Sequence, residues 1–272
     1  MAIQDNNEPI IEVRNVAKSF PGRGVVLENI NLVVRRGETV AIMGGSGCGK
    51  TTLLRLLMGV YKCDHGQVLL FGKDIAKMSW DELNQVRKRF GIVFQMKALY
   101  NSMTVGENVA LPLKEHHREL DDKIIEIMVK IKLELVGLRG FENFMPAQIS
   151  GGMEKRVGLA RAIALDPEII FYDEPTLGLD PIMSGVITQL ISDLKKKMGV
   201  TSVVVTHDRE CAFKTSNRIA MMYAGKILQE GTPEEIQHTT NPLVKQFIAG
   251  APDGPIPLRQ SSKKYFEDLV GD

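Results

Sequence analysis

Short apolar runs alternate along the chain with stretches whose apolar residues recur at helical spacing, the pattern of strands interleaved with helices. Ile10 to Val16 and Val25 to Val34 flank Phe20-Pro21-Gly22 and predict two antiparallel strands joined by a turn. Val40 to Met43 is wholly apolar and runs into glycines, after which Thr52 to Met58 reads as a helix. Gln67 to Phe71 predicts a strand, Ser79-Trp80-Asp81-Glu82 a capping box opening a charged helix to about Arg89, and Gly91 to Phe94 a buried strand ending at Gln95. From Met96 to about Leu165 the chain becomes helical and more charged. Thr104-Val105-Gly106-Glu107 is a second capping box, and Leu120 to Leu138 places Ile124, Ile127, Met128, Ile131 and Leu135 on one helix face. Strands return at Ile169 to Tyr172 and Val200 to Thr206, separated by a helix that Asp180-Pro181 starts and Gly199 stops. A hairpin pairs Arg218 to Tyr223 with Lys226 to Gln229, and Thr232-Pro233-Glu234-Glu235 caps a last helix.

Composition narrows the classes of function. A chain of 272 residues can bury one large α/β core with a subsidiary lobe. Lys+Arg 34 against Asp+Glu 33 leaves no basic excess for wrapping nucleic acid, so no nucleic-acid partner is expected. Cys48, Cys63 and Cys211 are too scattered for a disulfide frame or a CxxC metal site and fit a reducing compartment. The polar, acidic start of the chain does not read as a signal peptide, and no apolar run approaches the roughly 18 residues of a membrane span. Work at a membrane would need another chain to do the crossing. His116-His117 beside Glu115 reads as solvated linker rather than a metal site.

Chemistry concentrates first in Gly44-Gly45-Ser46-Gly47-Cys48-Gly49-Lys50-Thr51, a complete G-x-x-x-x-G-K-[ST] between a strand and a helix. The glycines let successive N–H groups turn inward, and the helix that follows presents its bare amides and positive dipole end to the same anion. Lys50 can reach outer phosphates, and the Thr51 hydroxyl can ligate Mg2+. Ile169-Ile170-Phe171-Tyr172-Asp173-Glu174 delivers two carboxylates to the carboxyl edge of a buried strand, Asp173 suited to hold the metal and Glu174 to take a proton from water. Ile149-Ser150-Gly151-Gly152-Met153 caps a second helix whose first amides are bare. Gln95 and His207 each stand at a strand end. Taken alone, Gln95 is a loop residue and His207 either a structural histidine or a γ-phosphate contact. Phe20 is either a turn aromatic or a ring on which adenine stacks.

As a series, these features resemble the ABC-type ATPases over roughly residues 10–237. The resemblance implies an α/β fold: a P-loop NTPase (RecA-like) core with an N-terminal antiparallel β layer and an inserted helical subdomain. On this reading residues 1–95 and 166–245 form the core, 96–165 the helical signature subdomain and 246–272 an extended tail. Read through the family, Gly44 to Thr52 bind ATP, Gln95 contacts the metal and joins core to lobe, and Ser150 to Met153 with Asp180 bind nucleotide. Phe20 stacks on adenine, and Glu174, His207, Lys50 and Gln95 serve catalysis with Thr51 and Asp173 at Mg2+. Met153 replaces the family's usual glutamine and removes one polar contact.

Two phosphate-binding helix ends on different lobes cannot share one nucleotide within a chain, so a second copy, head to tail, is the expected partner. Resemblance adds a transmembrane permease, and the Ile149–Met153 motif with the proline-rich run after Phe247 is most similar to ATPases of lipid-handling Mla/MCE transporters. Those imply a small STAS-domain protein and an MCE-domain protein as further partners, a tail that grips the neighbouring ATPase, and a place on the cytoplasmic face of the inner membrane. An importer of amino acids or other small solutes is the alternative, followed by a soluble ABC ATPase.

Overall fold

The computed structural model describes residues 8–95 and 99–256. The alternating stretches at the amino terminus form β1 (Pro9–Phe20) and β2 (Gly24–Arg35), each longer than its apolar run. The all-apolar run becomes β3 (Thr39–Gly44), every residue buried, and the glycine loop leads into α1 (Lys50–Leu57). Next come β4 (His65–Leu70), the two-residue β5 (Lys73–Asp74) and α2 (Trp80–Arg87), whose Ser79 and Glu82 exchange both bonds of a capping box. β6 (Phe90–Val93) precedes three helices, α3 (Val105–His116), α4 (Asp122–Leu135) and α5 (Gly151–Ala162). Then β7 (Ile169–Asp173), α6 (Pro181–Met198), β8 (Thr201–Thr206) and α7 (Arg209–Thr215) alternate. The hairpin β9 (Arg218–Tyr223) and β10 (Lys226–Gly231) leads to α8 (Pro233–Gln237) and α9 (Pro242–Ala249).

Two sheets result. One is antiparallel, in the order β2-β1-β4-β5; the other runs β10-β9-β3-β8-β7-β6 and is parallel except at β10. Parallel pairing brings the carboxyl ends of β3, β6, β7 and β8 to one edge, where open α/β sheets bind ligands. The loops after those strands carry the glycine cradle, Gln95, Glu174 and His207. One core, with Ile11, Ile30, Leu53, Leu54 and Phe171, fills the space between the two sheets around α1. A second, with Val109, Leu133, Tyr172, Ile187 and Ile191, joins the parallel sheet to α6 and to α3, α4 and α5. Burial of such side chains contributes about 1.5–3 kcal/mol each.

The face expected for α4 is corrected. Ile124, Ile127 and Ile131 are exposed, and Ile125, Val129 and Leu133 are the residues packed inward. The helix is apolar over most of its circumference, so periodicity offered two stripes. Packing against α3 and α5 selects the second. It also buries Lys132, whose Nζ meets Asp166 Oδ1 at 2.5 Å, a pairing that lets a charged residue share that face. The tail also differs from expectation: Asn241 and Pro242 start α9, which continues to Ala249, and the residues beyond it are not extended but bend back over the helix, where Gln246 Nε2 donates to the Ala251 and Ile256 carbonyls and its Oε1 accepts from the Ile256 N–H. Tyr265, Phe266 and Leu269, apolar residues beyond the prolines that would suit a short anchor, lie outside the described residues, as do Met96 to Ala98. Among the described residues no helix is long and apolar enough to cross a membrane.

Candidate functional site

The cradle follows from what its glycines allow. A Cβ on Gly44 would stand 2.2 Å from the Met222 carbonyl oxygen of β9, so only glycine lets the loop leave the sheet so close to its neighbour. Gly49 has φ +106, and its Cβ would meet Leu27 Cδ2 at 2.6 Å. Gly49 is also the N-cap of α1 and offers no side-chain bond, so the first amides of that helix remain for an anion. Cys48 is buried beneath the loop, and burial raises its thiol pKa, so it contributes backbone rather than thiolate chemistry. Lys50 is 7% exposed; its Nζ donates to the Gly44 and Gly45 carbonyls at 2.8 and 3.0 Å and lies 3.7 Å from Glu174 Oε1. Thr51 and Thr52 follow on the first turn of α1.

Opposite the cradle, β7 ends in Asp173 and Glu174. The Glu174 backbone has φ +45, a left-handed conformation that costs a non-glycine residue on the order of 1–2 kcal/mol. Its N–H donates to the Val205 carbonyl at 2.8 Å, and its Oε2 accepts from the His207 N–H at 3.2 Å and meets His207 Nδ1 at 2.8 Å. The carboxylate is thus pinned between Lys50 and His207. Residues outside the sequence reading of the site also hold this edge: Thr176 Oγ1 donates to Asp208 Oδ2 at 2.8 Å, and the Asp208 N–H to Thr206 Oγ1 at 3.0 Å. Asp208 also caps α7, a signal that was present in the sequence but inconspicuous.

Burial raises the pKa of Asp173, the neighbouring Glu174 charge adds to the rise, and Arg55, Lys50 and a hydrogen bond from Thr51 oppose it. Asp173 Oδ1 is buried with no hydrogen-bond partner. An orphaned carboxylate oxygen beside a threonine hydroxyl fits a hard divalent cation such as Mg2+. The raised pKa also has a consequence for folding. Holding the ionised form destabilises the fold above the native pKa, and the penalty disappears below the ordinary carboxylate value. Asp173→Asn is therefore expected to raise the Tm of the nucleotide-free protein by a few degrees at pH 7.5, with the gain shrinking as pH falls through the native pKa. A variant Tm below wild type at pH 7.5 would contradict this.

The remaining predicted residues occupy other positions. Gln95 is half-buried just past β6, and its carbonyl oxygen accepts from Lys155 Nζ at 2.6 Å. Ser150 caps α5 by accepting from the Met153 N–H at 3.3 Å, and Asp180 caps α6 through the Ile182 and Met183 N–H groups. The two caps are neighbours, because a Cβ on Gly152 would fall 2.3 Å from Met183 Cε. Gly151 has open space around it, and Met153 packs partly into the second core. Their partners belong to α5 and α6 rather than to the cradle. Phe20, half-buried at the end of β1, meets Tyr61 edge-on with centroids 5.3 Å apart, a partner that sequence spacing did not indicate.

A phosphate cradle, its lysine and an acid pair on one edge of a parallel sheet define a P-loop nucleotide-binding protein. The sequence profile of the ABC transporter family matches residues 27–177. The intermembrane phospholipid transport system ATP-binding protein MlaF of Escherichia coli strain K12 is 44% identical over 261 residues, 96% of each chain. Its Haemophilus influenzae counterpart is 42% identical, covering 97% of this chain and 99% of that one. Among solved structures, a dimeric ATP-binding cassette in a post-hydrolysis state bound to ADP and Pi superposes with TM-score 0.75 at 35% identity, covering 82% of this chain and 98% of the other. The chain belongs to the ABC transporter family, as an ATP-hydrolysing cassette.

Proposed function

We propose that this cassette powers phospholipid movement between the inner and outer membranes of a Gram-negative-type cell, working as a head-to-tail pair beneath a transmembrane permease. The observation that carries the chemistry is Glu174, held between Lys50 and His207 at the mouth of the cradle. Near full-length similarity to phospholipid transport ATP-binding proteins supports the cargo.

Lys50 and the bare amides of α1 bind the outer phosphates of ATP. Thr51, Asp173 and Gln95 are the groups to hold Mg2+, which when bound screens charge on the transferred phosphoryl oxygens. Glu174 accepts the proton of the attacking water. Since Glu174 engages His207 Nδ1, Nε2 is the ring nitrogen left for the γ-phosphate. Phe20 stacks on adenine, while Ser150 to Met153 and Asp180 serve the nucleotide of the second copy. Gln95 joins the core, residues 1–95 and 166–245, to the helical lobe at 96–165, so loss of the γ-phosphate rotates the lobe and moves the docked permease. The chain sits peripherally on the cytoplasmic face of the inner membrane. A small STAS-domain protein and an MCE-domain protein are its further partners, and the proline-rich tail grips the neighbouring ATPase.

The test is transfer of a fluorescent phospholipid between donor and acceptor liposomes by the complex reconstituted with its permease. ATP-dependent transfer that Glu174→Gln abolishes is expected. Solute uptake driven by a periplasmic receptor, without lipid transfer, would replace this reading with the importer.

A further inference from the structure

Lys155 is a cation that the reaction described above does not use. It lies on α5, and its Nζ donates to the Gln95 carbonyl at 2.6 Å and to that of Phe94 at 3.4 Å, across some 60 residues of sequence. Burial lowers its pKa, and the Asp173 charge opposes that shift. A lysine on a helix ordinarily carries its ammonium out to water, because desolvating it is costly. Here the ammonium turns inward and closes the end of β6. The opposite side of the same helix start is also fixed, since Gly152 packs so closely on Met183 that a Cβ there would fall 2.3 Å from Cε.

We propose that Lys155 is a positioning residue that couples the two nucleotide sites of the pair. It fastens the Ser150 cap, which this chain lends to its partner's nucleotide, to Gln95, which attends its own. The inference rests on the head-to-tail reading given above. α5 is a continuous helix of 12 residues with Lys155 in its first half, so a shift of the Gln95 main chain carries the helix and its capped amino end with it. The amide groups that meet the partner's γ-phosphate thereby take a position set by the state of the chain's own site. Without the ammonium, each site still binds ATP but stops reporting to the other.

ATP-dependence of turnover in the full chain tests this, with Lys155→Met, Lys155→Gln and Lys155→Arg compared with wild type. Wild type is expected to show a Hill coefficient approaching about 2, and Lys155→Met one of about 1, with single-site affinity for a fluorescent ATP analogue changed less than about twofold. Lys155→Arg, which keeps the charge and the donors, retains most of the cooperativity. Lys155→Gln, which preserves a neutral donor, falls between the two and stands in for the methionine variant should that one not fold. Cooperativity unchanged in Lys155→Met and Lys155→Gln overturns the assignment, as does a wild-type coefficient of about 1. Equal losses in the Arg and Met variants with a lowered Tm mark a purely structural role and overturn it too. Pairing is read separately: if Glu174→Gln stays monomeric with ATP, the head-to-tail reading itself fails. If it pairs while Lys155→Met stays cooperative, only the lysine assignment fails.

Discussion

Replacing Glu174 with glutamine is expected to lower ATP turnover by about 10²- to 10⁴-fold while leaving a nucleotide-loaded pair intact. The substitution keeps the shape of the side chain and its oxygen toward the His207 N–H, which donates to Oε2 at 3.2 Å. What it removes is the ability to accept a proton from water. Because the Glu174 charge helps raise the Asp173 pKa, the variant also returns Asp173 toward its ordinary ionisation. Metal and phosphate binding are thus retained or strengthened as hydrolysis stops, so the pair closes and stays closed. Single-turnover assays and size-exclusion chromatography with ATP measure the two effects. Normal turnover in the variant would remove Glu174 from the role of base.

Local signals made most of this site legible in the sequence. The cradle, the acid pair and the helix caps at Ser150 and Asp180 each follow from a few adjacent residues, because glycine geometry and capping are short-range effects. The parallel sheet was equally readable, since strands buried on both faces carry near-continuous apolar runs, as Val40 to Met43 of β3 and Val203 to Val205 of β8 do. Illegible parts depend on who packs against whom. Lys155 meets carbonyls that any residue type would supply, so nothing in positions 94 and 95 announces the contact. The edge-on pairing of Phe20 with Tyr61 joins a strand end to the residues beyond α1, again without a sequence mark. α4 failed for a related reason: with Ile124, Ile127 and Ile131 on one side and Ile125, Val129 and Leu133 on another, its period permits two orientations. Burial of Lys132 made the inward stripe look less apolar than the outward one, and only its pairing with Asp166 resolves that.

Lys50→Ala should weaken ATP binding by about 30- to 1,000-fold, corresponding to about 2–4 kcal/mol for a buried, charge-assisted phosphate contact. The size of the effect follows from how the ammonium is held. Its bonds to the Gly44 and Gly45 carbonyls already place it at the mouth of the loop, so little side-chain entropy remains to be lost when phosphate arrives. Lys50→Arg should not restore binding, since the planar guanidinium is too broad to sit over carbonyls that the lysine approaches at 2.8 and 3.0 Å. Removing Lys50 also removes a charge that lowers the Asp173 pKa, so Asp173 should ionise less readily in the variant. Titration with a fluorescent ATP analogue, alongside a thermal scan of the nucleotide-free protein, separates lost binding from lost folding. Affinity unchanged in a folded Lys50→Ala chain would place the phosphates elsewhere. Glu174, 3.7 Å from this ammonium, would then have no nucleotide within reach of its carboxylate.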